Sequence, residues 1–141
     1  MTLAAAQVID AVAARLVGAT TAGTRVHTSR AWPLAEADLP AWRVTAEDET
    51  VEPATVGSIN EHSLSIAARG IVRAVADLDD ALHALAEAAL TALFVAPLPH
   101  RLRLEGIERE MSSEGEAAVG AITLHLRCTY YVKPAAPGTI L

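Results

Sequence analysis

The residues of this chain that could bind a metal ion are histidines and a cysteine. The histidines are His27, His62, His83, His100 and His125, and their spacing gives no His-x-x-x-His motif. The single cysteine, Cys128, has only His125 as a near neighbour. Residues three positions apart in a strand point to opposite faces, so these two side chains cannot share an ion. The spacing therefore predicts neither a metal site nor a cofactor.

Motifs of nucleophilic or phosphate chemistry are missing from the sequence. It contains no Gly-x-Gly-x-x-Gly fingerprint, no P-loop and no Gly-x-Ser-x-Gly elbow. Ser112 and Ser113 carry hydroxyl groups, but turn formation explains them better because no partnered base accompanies them. Asp79 and Asp80 stand at the start of a predicted helix, where helix capping accounts for them. These patterns favour a protein that is not an enzyme.

Two sets of charged residues are candidates for binding another protein surface. Segment 47–60 shows no apolar periodicity, and we predict a long acidic loop there, either solvated or ordered against a neighbouring subunit. Arg69 and Arg73 share one face of a predicted strand, which is either a solvated sheet face or a surface between subunits. Because guanidinium groups pair with carboxylates, the acidic loop is a plausible partner for these arginines. Its carboxylates are Glu47, Asp48, Glu49 and Glu52.

Length and composition indicate one domain with a hydrophobic core. The chain has 141 residues, of which 52% are hydrophobic, and needs no disulfide bond to fold. No apolar run approaches the roughly 18 residues of a membrane span, and the start lacks the basic flank of a signal peptide. The net charge of −6 argues against non-specific binding to nucleic acid. The lone cysteine agrees with a reducing compartment, so we expect the chain to be made in the cytoplasm.

The hydrophobic pattern predicts an α+β domain with the element order α-β-β-β-α-β-β. Gly18 is expected in left-handed geometry after the first helix, and Asp77 is expected to cap the second. Residues 1–133 form the single domain, and 134–141 form an extended, loosely held tail. The predicted elements are Thr2–Val17, Arg25–His27, Pro40–Ala46, His62–Ala76, Asp77–Phe94, Arg101–Glu110 and Val119–Lys133.

The residue pattern of the longest predicted strand indicates which face of the sheet is apolar and which is polar. In 119–133, Leu124 and Leu126 fall on one face, and His125 and Arg127 fall on the other. This strand should pair with 101–110 as an antiparallel hairpin. Segment 62–76 also satisfies a helical template, but its β-branched residues favour a strand. Two amphipathic helices would then cover one face of a mostly antiparallel sheet, and the polar face must meet water or another subunit.

Several segments, in order along most of the chain, carry a resemblance to a known family. They are Arg30-Ala31-Trp32-Pro33-Leu34, Leu39-Pro40-Ala41-Trp42-Arg43-Val44, Ser65-Ile66-Ala67-Ala68-Arg69-Gly70 and Asp77-Leu78-Asp79-Asp80-Ala81-Leu82. The closing strand with Leu124, Leu126 and Tyr130-Tyr131 fits the same layout. The chain thus resembles the tail terminators of long-tailed bacteriophages, of the minor tail protein U type. These motifs are an aromatic-Pro pair, a Leu-Pro pair and a capped helix, with no catalytic signature.

The resemblance implies a virion protein that forms a hexameric ring on the head-proximal end of the tail tube. Such a ring stops tube polymerisation and offers a surface to the head-completion or neck protein. Its partners would be copies of itself, the tail tube protein and the neck protein, with DNA passing through the lumen without specific binding. No membrane and no cofactor take part. The candidate subunit interface comprises Arg30, Trp32, Pro33, Glu47, Asp48, Glu49, Glu52, Arg69 and Arg73.

Two other functions fit the same sequence features. The first is another neck or tail-completion subunit, which differs only in the ring on which it stacks. The second is a small-ligand-binding or enzymatic α+β domain with a pocket between sheet and helices. Trp32, Trp42 and Tyr131 would line that pocket, although aromatic residues of this kind are more often core or interface residues.

Overall fold

A computed structural model of the chain describes residues 3–28, 39–54, 58–74, 76–95, 97, 99–112 and 118–141. The helices are α1 (Ala4–Leu16) and α2 (Leu78–Leu93), and one 3₁₀ turn covers Pro99–Arg101. The strands are β1 (Val26–His27), β2 (Ala41–Pro53), β3 (Asn60–Ala74), β4 (Arg103–Ser112), β5 (Ala118–Lys133) and β6 (Ala136–Ile140).

The strands form one sheet in the spatial order β1-β2-β3-β5-β4, and β6 pairs with β5. The β1–β2 pair is parallel, and all the other pairs are antiparallel. The α+β class, the mostly antiparallel sheet and the predicted hairpin of the last long strands are therefore confirmed. The chain order matches α-β-β-β-α-β-β up to β5, and β6 is an addition.

Both helices pack on the same face of the sheet, as the hydrophobic pattern predicts. In α1 the buried residues include Val8, Val12 and Leu16, at spacings of one helical turn. In α2 they are Leu82, Leu85, Ala86, Ala89 and Leu93. These side chains join one core with the inward residues of β2, β3 and β5. The burial of β5 alternates strictly from Ile122 onwards, which confirms the predicted two faces of that strand.

Two glycines allow α2 to lie close to the sheet. A Cβ atom at Gly70 would stand 2.7 Å from Leu85 Cδ2 and 3.0 Å from Trp42 Cη2. A Cβ atom at Gly120 would stand 2.8 Å from Leu82 Cδ1. Contacts that short require atoms to move, so a larger residue at either position would force these leucine side chains of α2 to shift.

The predicted long acidic loop is wrong for residues 47–53, which continue β2 as an extended strand paired with β3. The register shifts between Ala46 and Glu49, which marks a β-bulge. All seven exposed positions of β2 are residues 47–53, so neither face of the strand is buried there. These residues can adopt strand geometry because their backbone groups pair with β3, while their side chains remain exposed.

The predicted loose tail is also wrong, because residues 136–140 form β6. Val132 and Lys133 pair with β6, and the Leu141 amide donates a hydrogen bond to the Tyr131 carbonyl. On the other side, Gln7 Nε2 donates to the Gly138 carbonyl oxygen at 2.6 Å. The tail is therefore attached both to the sheet and to α1.

The helix ends agree only in part with the prediction. Gly18 has a φ of 75°, which confirms its left-handed geometry after α1. Asp77 occupies the N-cap position of α2, but its φ is 54° and its side chain makes no capping hydrogen bond. The predicted capping role of Asp77 is therefore wrong, and Thr2, the predicted first residue of the first helix, lies outside the described residues. Within the described chain, neither helix has the length and hydrophobicity to span a membrane.

Candidate protein interaction surface

The face of the sheet opposite the helices is lined by charged and hydroxyl-bearing residues, and we call it the polar face. No helix in the described part of the chain packs on it. The register of the strands places residues from β2, β3, β5 and β4 side by side on this face. Its ionisable members include Arg43, Glu47, Glu52, Glu61, Arg69, Arg73, Arg103, Glu105, Glu108, Glu110, His125, Arg127 and Lys133.

Two arginines on the polar face make ion pairs with the edge strand β4. The Arg69 guanidinium lies 3.0 Å from Glu110 Oε2 and reaches it across β5, where Ala121 is the residue paired with Glu110. The short side chain of Ala121 leaves room for this contact. Arg127 donates from Nε to Glu105 Oε1 at 2.6 Å and from its terminal nitrogen to Ser63 Oγ at 2.7 Å. These contacts connect the central strands to β4 through side chains as well as backbone.

His125 connects the two outer long strands through carboxylates. Its Nε2 lies 3.2 Å from Glu108 on β4, and its Nδ1 lies 3.8 Å from Glu47 on β2. Ala67, the β3 residue between these strands, is paired with both Thr45 and His125. Its methyl group is too short to separate Glu47 from the imidazole. His125 therefore lies between two carboxylates of this chain, Glu47 on one side and Glu108 on the other.

On the opposite face of the sheet, Glu49 joins a cluster with His62 and Tyr130, which we call the Glu49 cluster. Glu49 Oε1 accepts hydrogen bonds from the Tyr130 hydroxyl and from His62 Nδ1, the latter at 2.8 Å. The His62 and Tyr130 rings stack with centroids 5.1 Å apart. Burial raises the pKa of Tyr130, and its hydrogen bond to the Glu49 carboxylate raises that pKa further.

The β-bulge explains why Glu47 and Glu49, two residues apart on β2, point to opposite faces of the sheet. Glu47 points to the polar face and reaches His125, whereas Glu49 points to the helix face and reaches Tyr130. Both partners lie on β5, two strands away from β2. The two carboxylates thus connect β2 to β5 on both sides of the sheet.

Replacing Tyr130 by phenylalanine is expected to destabilise the protein by about 1–3 kcal/mol, because the Glu49 carboxylate loses one of its two hydrogen-bond donors. The matched control is Tyr131→Phe, in the next position but on the polar face, where the hydroxyl accepts only a long 3.4 Å contact from Arg101. Its expected cost is within about 0.5 kcal/mol. Urea denaturation of both variants measures the difference, and equal losses would contradict the assigned hydrogen bond.

The residues that we predicted as a subunit interface differ in their surroundings in the structure. Arg30, Trp32 and Pro33 lie outside the described residues. Glu47, Glu49 and Arg69 have partners inside the same chain. Asp48, Glu52 and Arg73 are exposed, as Glu47 and Glu49 also are. Sequence reasoning did not find the pairing carboxylates on β4, although Glu105, Glu108 and Glu110 stand in a segment that was predicted as a strand.

The aromatic residues assigned to an alternative ligand pocket lie on opposite faces of the sheet. Trp42 is fully buried under the helices, and its Nε1 donates to Thr20 Oγ1 at 3.1 Å. Tyr131 is on the polar face, where the Arg101 guanidinium lies 5.6 Å from its ring centroid. The two therefore line no common pocket, and the third residue, Trp32, lies outside the described residues. Among the described residues, no group of three potential metal ligands converges.

Twenty-seven chains of solved structures are similar to this one. A chain in the solved structure titled "Virion of native gene transfer agent (GTA) particle" has 23% sequence identity and a TM-score of 0.48. The similarity covers 89% of this chain and 90% of that chain. No family model matches this sequence, and no curated protein matches it either. A likeness of that size says nothing about function.

Proposed function

We propose that this protein is a virion structural protein, the tail terminator of a long-tailed phage, and that it works by assembling with copies of itself. The copies form a ring on the head-proximal end of the tail tube. The ring stops polymerisation of the tube and provides the surface to which the head is joined. The proposal rests on the resemblance of the segments given above and on one structural observation, the polar face.

The polar face is the observation that carries the proposal. It is a broad surface with side chains held in place by ion pairs, and no described helix covers it. Next to it, every residue of the edge strand β4 except Gly106 is exposed. Surfaces fixed in this way favour recognition by shape and charge, since few side chains must be ordered when a partner binds.

A terminator needs two unlike ring surfaces. One surface imitates the next layer of the tube, and the other refuses a further layer, so the open-ended stacking of a heterologous contact ends there. That task needs matched surfaces and no reactive group. A hexamer would carry 6 × −6 = −36 formal charges, and acidic side chains facing a lumen would keep DNA from adhering.

Electron microscopy of tail tubes tests the proposal. Tail-tube subunits polymerise with and without the purified protein, and an unrelated acidic protein of similar size serves as the control. We expect capped tubes of limited length only with this protein, with a ring visible at one end. Tubes of unchanged length without a terminal ring would overturn the terminator role, and binding to the head-completion protein alone would indicate a neck subunit instead.

A further inference from the structure

The sheet has two open edges within the described part of the chain, one on each side. The first is β4, which pairs with β5 alone and is exposed at every residue except Gly106. The second is the end of β2, Glu49–Pro53, which pairs with β3 alone because β1 reaches no farther than Arg43. We call them the β4 edge and the β2 edge. Open edges present unpaired backbone N–H and C=O groups, with which another chain can pair.

Both edges carry exposed apolar side chains, and these lie on the helix face of the sheet. Val51 stands on the β2 edge and is 50% exposed, and Ile107 stands on the β4 edge and is 36% exposed. Their partners in the sheet are His62 and Leu124, which belong to the helix face. The other members of this row on β4 are Leu104 and Met111. Exposed hydrophobic positions on an open edge favour pairing with another strand.

The directions of the strands fit a contact between the two edges. β2 is antiparallel to β3, β3 to β5 and β5 to β4, so β4 runs opposite to β2 within one subunit. In a second copy placed beside the first in the same orientation, the β2 edge is antiparallel to the β4 edge of the first copy. The helix faces of both copies then lie on the same side. The two edges can therefore pair as neighbouring strands of one continuous sheet.

One register matches the side chains of the two edges. With Ile107 opposite Val51, two exposed apolar side chains face each other. Arg109 then lies opposite Glu49, and both belong to the helix face. Within its own chain Glu49 accepts hydrogen bonds at Oε1, and a guanidinium can donate to Oε2 as well. Apolar pairs and pairs of opposite charge stabilise neighbouring strands.

Other registers bring like charges together. In the matched register Glu108 lies opposite Thr50, whereas a shift of two residues places it opposite either Asp48 or Glu52. Like charges directly opposite each other destabilise a sheet. A shift of one residue would set apolar positions against polar ones. The matched register ends at the β-bulge, where Asp48 meets Glu110, a carboxylate that already binds an arginine of its own chain.

We propose that the β4 edge of one copy pairs with the β2 edge of a second copy of this chain, so that their sheets join. Each copy uses both edges once, so the contact is heterologous and closes into a ring where the rotation allows. All polar faces then lie on the same side of the ring. The inference rests on the proposed function, because it names the contact between copies in the ring.

The charges of β4 disfavour the simpler alternative, in which two β4 edges pair with each other. An antiparallel pair centred on Glu108 or Glu110 sets a glutamate against its own copy. A pair centred on Arg109 sets the two arginines together and places Glu108 opposite Glu110 twice. Two β2 edges are disfavoured as well, because Glu49 and Glu52 are their only charged residues.

Contacts inside the subunit hold both edges in position. On the β2 side, Glu47 lies 3.8 Å from His125 of β5. On the β4 side, Glu105 accepts a hydrogen bond from Arg127 of β5 at 2.6 Å. Strands fixed in this way lose little conformational entropy when a partner binds. Of the interface residues that the sequence predicts, Glu49 makes the contact and Glu47 positions the edge.

Cysteine cross-linking tests the register. In the double variant Val51→Cys/Ile107→Cys, the opposing Cβ atoms of two copies lie about 4.5–5.5 Å apart, and a disulfide bond needs about 3.5–4.5 Å, a small shift for an exposed edge. Oxidation should give a ladder of multimers on a non-reducing gel, and either single variant should stay monomeric. Thr50→Cys/Ile107→Cys is the matched control without a ladder, because residue 50 points to the other face. Cys128 is fully buried in all variants.

Replacing Val51 by lysine tests the affinity. The lysine would meet Ile107 of the neighbouring copy and stand near its Arg109. Self-association, measured by sedimentation equilibrium, should weaken about tenfold, which corresponds to about 1.4 kcal/mol. Val95→Lys is the matched control, because Val95 is 55% exposed but lies after α2 and away from both edges. It should associate like the wild type, and melting curves should show both variants folded.

The outcomes separate this inference from the proposed function. A double variant without cross-links, a ladder from the Thr50 control, or dimers from Ile107→Cys alone would each overturn the edge pairing. Equal association of Val51→Lys and the wild type would do the same. Protein that gives no ladder but still caps tail tubes would leave the proposed function standing. Protein that gives the ladder but leaves tail tubes uncapped would support the pairing and overturn the terminator role.

Discussion

Replacing Trp42 by alanine is expected to lower the free energy of unfolding by about 3–5 kcal/mol, the largest loss for a single side chain of this fold. Trp42 is the largest fully buried side chain among the described residues. Its ring fills the space beside Gly70, where a Cβ atom would stand only 3.0–3.1 Å from it. Leu85 of α2 closes the same space. Removal of the indole would therefore leave a cavity between β2, β3 and α2.

Loss of the hydrogen bond of the indole lowers the free energy of unfolding further. The Trp42 indole donates to Thr20 Oγ1, and this hydroxyl also accepts the Ala22 amide at 3.2 Å. The substitution thus loosens the turn after α1 in addition to the core. Urea denaturation followed by circular dichroism measures the loss, and Val51→Ala on the same strand is the control because Val51 is 50% exposed. A Trp42→Ala loss as small as that of Val51→Ala would contradict the placement of the indole in the core.

Hydrophobic periodicity predicted the helices and strands that bury one face in the core. In α2 and β5 the apolar positions repeat with the period of their element, because one side of each faces the core. The distal half of β2 has no such pattern, since both its faces are exposed and its carboxylates have low strand propensity. Its strand geometry comes from pairing with β3, a neighbour whose register the sequence alone does not reveal. The sequence therefore predicts a loop over 47–60, whereas 47–53 belong to β2.

The sequence predicted which residues form the charged surface, but it did not predict how they pair with each other. The sequence showed that Arg69 and the carboxylates of β2 belong to polar positions. It did not show that Arg69 faces Arg43, because a shift of the β2–β3 register by one residue would have placed them on different faces. The β-bulge after Ala46 likewise decides that Glu47 and Glu49 point to opposite sides. Long-range register is the information that local patterns lack.

Raising the pH above 9 is expected to destabilise the subunit through Cys128. This thiol is fully buried on the helix face of β5, and burial raises its pKa from 9.0 to about 12. Between these values the unfolded chain releases the thiol proton while the folded chain retains it. Stability is therefore complete below pH 9 and falls as the pH rises, by about 1.4 kcal/mol per unit, or up to about 4 kcal/mol near pH 12. The raised pKa of Tyr130 acts in the same direction.

Cys128→Ala isolates this contribution from all other titrating groups, because it removes the thiol and leaves Tyr130 and Lys133 in place. At pH 8 the variant should be less stable than the wild type by about 1 kcal/mol, owing to the small cavity. Above pH 9 that difference should shrink by about 1.4 kcal/mol per unit and then change sign, since only the wild type loses a proton on unfolding. Urea denaturation at pH 8, 9, 10 and 11 measures the trend. A difference that stays constant over this range would mean that the thiol is open to solvent, and β5 would then not have the face assigned to it.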